Sequence, residues 1–185
     1  MATSIQICNL ALRSVGSSTI TALTDDSEQA RILSDIYTLI RDEVMEAHPW
    51  NFAIKRAELT AYDDTPEFDY DYMYVLPTDC LRVLRMEDKS VEFKIEGGYL
   101  LTDETPAEIL YIAKITDASM YNPRFYAALA ARLASELAFP LANSKTLGEA
   151  KYKEYLLKLK KAKSVDGQEG TLDQPDDDSW LDDRT

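Results

Sequence analysis

The hydrophobic period changes twice along this chain, and those two changes limit its fold more than any motif does. Apolar residues recur at helical spacing up to about residue 47, alternate between Trp50 and Ile115, and return to helical spacing from Pro123. A stripe of period 3.6 does not fit a sheet, and a stripe of period 2 does not fit a helix. The chain is therefore expected to be α+β and mainly α, in the order helix, helix, β-insert, helix, helix, tail. Residues 1–49 and 120–163 would form a discontinuous four-helix core. Residues 50–119 would form a small antiparallel barrel or sandwich projecting from it. Residues 164–185 would form an acidic C-terminal arm, disordered or ordered by a partner.

Local signals set the boundaries. Ile5, Cys8, Leu12 and Val15 share one helical face, and Gly16 stops the run. Ser17 to Thr24 reads as a loop. Asp26 or Ser27 caps a second helix whose stripe is Leu33, Ile36, Tyr37, Ile40, Val44 and Ala47, with Glu28 in its first turn and Pro49 as its end. His48, the single histidine, falls where a helix C-terminus favours positive charge and reads as a cap rather than a catalyst. About six strands follow: 52–60, 68–76, 80–85, 91–95, 99–102 and 108–113. Gly97 and Gly98 suit the tight turn of a hairpin, where positive φ costs glycine little. Asn122 and Pro123 then open a helix with the stripe Tyr126, Leu129, Leu133 and Leu137. Its alanines permit close helix approach, and Pro140 is expected to stop it. Ser144 opens the last helix, with Leu147, Tyr152, Tyr155, Leu156 and Leu159 inward and the lysines outward.

Charge excludes whole classes of function. The chain carries −13, of which the arm supplies −7 and Ala61 to Asp79 another −6, while Lys145 to Lys163 carries +5. Such a surface repels DNA phosphate and anionic lipid. Cys8 and Cys80 are too few and too far apart for a disulfide framework or a zinc site, so buried reduced thiols are expected. No apolar run approaches the roughly 18 residues of a membrane span. The first base, Arg13, follows the apolar stretch, which reads as a helix rather than a signal peptide. The protein is expected to be made in the cytoplasm.

No serine elbow, phosphate loop or paired-cysteine site occurs, and no cofactor or metal is expected. Two segments remain as contact candidates. Phe68, Tyr70, Tyr72 and Tyr74 would line one face of an extended segment, as a barrel face or an intersubunit surface, since tyrosine suits boundaries that are half apolar and half wet. In the arm, Leu172, Trp180 and Leu181 are the apolar anchors, and Asp177 and Asp178 would steer them toward a basic partner. The arm's 22 residues could reach about 70 Å if fully extended. The alternative is a peptidoglycan glycosidase using carboxylates within residues 63–79, which would need only two of them across a cleft.

Three patches carry a resemblance. The first runs from Arg41-Asp42-Glu43 to Pro49-Trp50-Asn51-Phe52-Ala53. The second is Leu76-Pro77-Thr78-Asp79-Cys80-Leu81-Arg82-Val83-Leu84, followed by Gly97-Gly98-Tyr99-Leu100-Leu101-Thr102-Asp103. The third is the alanine-rich run from Tyr126 to Pro140. In this order, the chain resembles phage head–tail adaptors of the tail tubular protein A-like family. The resemblance implies a structural virion protein with no shared catalytic motif. It implies a ring, usually of twelve copies, bound beneath the portal protein of a short-tailed phage. That ring would seat the tail nozzle and let double-stranded DNA pass without specific binding. The acidic arm lies outside the resemblance.

Overall fold

The computed structural model describes residues 3–169. Among the described residues there are four α-helices: α1 (Ser4–Ser14), α2 (Glu28–Glu46), α3 (Pro123–Ala142) and α4 (Lys145–Asp166). Each begins at a side-chain cap. Thr3 and Gln6 close a reciprocal capping box on α1, and Ser27 Oγ accepts from Ala30 N at 3.2 Å on α2. Asn122 and Ser144 do the same for α3 and α4, at 2.7 and 3.2 Å.

The β-part holds seven strands in two antiparallel sheets. The strands are β1 (Ile54–Glu58), β2 (Thr60–Ala61), β3 (Tyr72–Val75), β4 (Cys80–Met86), β5 (Phe93–Glu96), β6 (Tyr99–Thr102) and β7 (Glu108–Ala113). The first sheet has the order β1-β7-β4 and the second β2-β3-β6-β5. Both sheets are open, so the expected barrel does not close. The chain crosses between them at Leu59, a buried residue whose N–H bonds the Ala107 carbonyl at 2.8 Å. The stretch expected as one strand over 52–60 is thus a short 3-10 turn, Asn51–Ala53, followed by β1 and β2. The extended segment expected over 68–76 shrinks to β3, because Asp69 sits at φ 73° and redirects the chain before Tyr72.

α3 is the central helix and packs against α1, α2 and α4. It is long and apolar enough to span a membrane by composition, but half of that window is buried inside the protein. Its alanines admit α4 closely: a Cβ added at Gly148 would stand 3.1 Å from the Ser135 carbonyl oxygen. Pro140 does not stop this helix, which runs two residues further and ends on Asn143 in the left-handed conformation at φ 47°. Proline near the last turn removes one helical hydrogen bond rather than the whole turn.

The buried side chains of the helices and of both sheets form one continuous cluster. A group of aromatic rings lies within it. Trp50 is fully buried and makes edge contacts with His48 at 4.8 Å and Phe125 at 5.1 Å between ring centroids. Phe52 and Tyr121 close the group at 5.5 Å from each other and about 5 Å from Phe125. Cys8 is buried, which pushes its thiol up to about 12, and Cys80 is half-buried and raised to about 11.

Candidate protein-interaction site

The acidic aromatic segment emerges beside the second sheet. Phe68 is 77% exposed, set between the exposed carboxylates of Glu67 and Asp69, and Tyr62 and Tyr72 are exposed as well. Asp71 N donates to Asp103 Oδ1 at 2.9 Å and ties the segment to the end of β6. Tyr72 and Tyr74 share a face, their ring centroids 6.4 Å apart, but their fates differ. Tyr74 is only 2% exposed, and its hydroxyl donates to the Glu104 carbonyl at 3.0 Å. The expected row is therefore broken: Tyr74 is a core side chain, Tyr70 is half-buried, and Phe68 and Tyr72 face outward. The turn at Asp69 and the shortness of β3 account for that break.

The carboxylates of this segment lie at the surface: Asp63, Asp64, Glu67, Asp69 and Asp71 are all exposed. Asp79 is shifted. A hydrogen bond from Lys55 Nζ at 2.7 Å, helped by one from the Tyr111 hydroxyl at 3.1 Å, lowers it below the usual aspartate value. Among the described residues, no three His, Cys, Asp or Glu side chains converge as a metal centre would.

A buried polar junction joins three segments near the other end of the protein. α4 runs past residue 163, so Ser164 to Asp166 belong to the helix and not to the expected arm. Asp166 is 3% exposed; its Oδ2 accepts from Asn51 N at 3.1 Å and its Oδ1 from Asn122 Nδ2 at 3.2 Å. Asn51 Nδ2 returns a bond to the Asp166 carbonyl at 2.7 Å. His48 Nε2 lies 3.2 Å from Asp166 Oδ2 without the alignment of a hydrogen bond. Burial lowers the imidazole and raises the carboxyl, so each tends toward its neutral form. His48 is therefore not the cationic cap of α2 that its position suggests. Lys163 fills that role, its Nζ donating to the Ala47 carbonyl at 2.7 Å.

This junction has a pH signature. The unfolded imidazole titrates near 6.5 and the folded one lower, so the unfolded chain binds its proton first and stability falls as pH drops below about 6.5. Asp166 works in reverse: stability is regained as pH falls through its raised folded value toward the unfolded one. His48 is the only histidine. The melting temperature of the wild-type chain is accordingly expected to fall between pH 7 and 5.5 relative to that of His48→Gln. Parallel curves for the two proteins would contradict this.

The second surface is the outer side of α4. Tyr152 and Leu156, expected inward, are exposed, and Leu157 is 65% exposed beside them; Tyr155, Leu159 and Ala162 take the buried positions. Tyr152 instead lies under the Arg132 guanidinium, 5.6 Å from its ring centroid. That guanidinium also binds Glu43 at 3.0 Å and Glu136, linking α2, α3 and α4 on one face.

Leu172, Asp177, Asp178, Trp180 and Leu181 lie outside the described residues. No protein-family model matches this chain, and no curated protein matches it.

Proposed function

We propose that the chain is a structural head–tail connector subunit that assembles as a ring beneath a phage portal, receives the tail nozzle and surrounds the passing DNA. The observation that supports this reading best is the coincidence of fold and resemblance. The three sequence patches fall at the α2-to-β1 junction, at β4 with the β5–β6 turn, and along α3. Trp50 is the buried centre of the first, Gly97 and Gly98 hold positive φ in the second, and the third supplies the central helix. The exposed, strongly acidic surface also suits a conduit. Twelve copies would carry about −156, a wall along which DNA slides rather than sticks.

The glycosidase reading gains nothing from the geometry of residues 63–79, whose carboxylates are exposed or, at Asp79, lowered. The connector reading makes the acidic aromatic segment a protein contact. Replacing Tyr70 and Tyr72 together by serine is expected to leave helical circular dichroism unchanged, because Tyr72 is exposed and Tyr70 half-buried. The same variant is expected to lose ring or nozzle assembly in a pull-down on portal-bound particles. Retained assembly, or loss of helical signal, would count against this role.

A further inference from the structure

We infer that the outer face of α4 is the seat for the acidic aromatic segment, residues 62–72, of a second copy of this chain. Lys153, Leu156, Leu157, Lys160 and Lys161 are all exposed, and their spacing of three, four, seven and eight places them along one side of the helix. Two leucines between three lysines make an apolar strip with a cationic border. Lys151 and Lys158 turn instead to Glu154, at 3.0 and 2.6 Å. Among the described residues, Lys153, Lys160 and Lys161 enter no ion pair.

The complementary surface is carried by the same chain on different elements. Segment 62–72 presents Phe68, Tyr62 and Tyr72 among five exposed carboxylates. α4 packs chiefly on α3, whereas the segment joins strands of the second sheet. Charge decides how two copies meet. A two-fold contact through α4 would bring lysines against lysines, and one through the segment would bring carboxylates against carboxylates. The unlike surfaces attract, and a single such contact between two copies is head to tail, the arrangement that generates rings when its rotation closes. The contact thus deepens the connector reading and rests on it only for closure of the series.

The test uses the full chain with two reversed variants. One carries Lys153→Glu, Lys160→Glu and Lys161→Glu; the other carries Asp64→Lys, Glu67→Lys and Asp69→Lys. Sedimentation of the concentrated wild-type chain, without portal, is expected to show mass rising with concentration and falling with salt. Each variant alone should associate about tenfold or more weakly, since both its surfaces then carry one sign. Their equimolar mixture should regain wild-type association, because every contact between unlike partners is again opposite in charge. As a check independent of charge, chains carrying Leu157→Cys and Phe68→Cys should form a mixed disulfide on oxidation, and neither should do so with wild type.

Variants that associate like the wild type, or a mixture that stays dissociated, overturn the inference. So does association that survives reversal of Asp64, Glu67 and Asp69 but is lost both on reversal of the α4 lysines and on removal of residues 172–185, which would make the acidic arm the occupant of α4. Failure of the wild-type chain to bind a portal, with complementation intact, would instead remove the connector reading and leave this contact standing.

Discussion

Replacing Trp50 by alanine is expected to cost about 3–5 kcal/mol of folding stability, the range for truncating a fully buried large aromatic. Three losses combine at this residue. The indole leaves a void among His48, Phe52 and Phe125, whose rings all lie within 6.2 Å of it. Its Nε1 no longer donates to the Val44 carbonyl, a bond of 3.1 Å that satisfies an orphan acceptor in the last turn of α2. The bend from α2 into β1 also loses its fixed centre. A domain of this kind has about 5–15 kcal/mol to lose, so urea unfolding should show a midpoint shifted by a large fraction of its value. A cost below about 1 kcal/mol would mean that the site collapses freely around the missing ring.

Deleting residues 172–185 is expected to have the largest effect on assembly and almost none on folding. Trp180 and Leu181 are the only large apolar groups beyond Leu172, and six aspartates surround them in the arm's last thirteen residues. An indole docked in a partner pocket is a frequent hot spot. Repetition around a ring multiplies a weak contact by roughly 10²–10⁴. The truncated chain should melt like the wild type yet be lost from portal particles on washing. Trp180→Ala should reproduce much of that loss, whereas Asp177→Asn with Asp178→Asn should mainly flatten the salt dependence. A truncated chain that loads portal rings as well as the full chain would reduce the arm to a solvated end.

The parts of this fold that are local in sequence were legible in it. Ser27, Asn122 with Pro123, and Ser144 mark helix starts because a cap needs only the next three residues. Gly97 and Gly98 mark the β5–β6 turn for an equally local reason, at φ 57° and 88°. The rest depends on partners far along the chain. Asp166 reads as one more acid of a charged arm, yet its partners Asn51 and Asn122 stand 115 and 44 residues away. α4 misleads because Leu156 and Leu157 face outward while Leu159 is buried, so no single apolar stripe identifies its inner side. The tyrosine alternation was real over Tyr72 and Tyr74, but one left-handed residue, Asp69, was enough to break the row before them.

The central claim is that this subunit builds a ring on a portal, and imaging tests it most directly. The full chain should be mixed with a portal protein of a short-tailed phage, the partner that the connector account requires, and the particles examined by cryo-electron microscopy. The connector account predicts a second tier of density under the portal, with the symmetry of a closed ring of chains fitting the four helices and two sheets described here. Bare portal rings beside free monomeric chain, at concentrations that saturate the mixture, would contradict it.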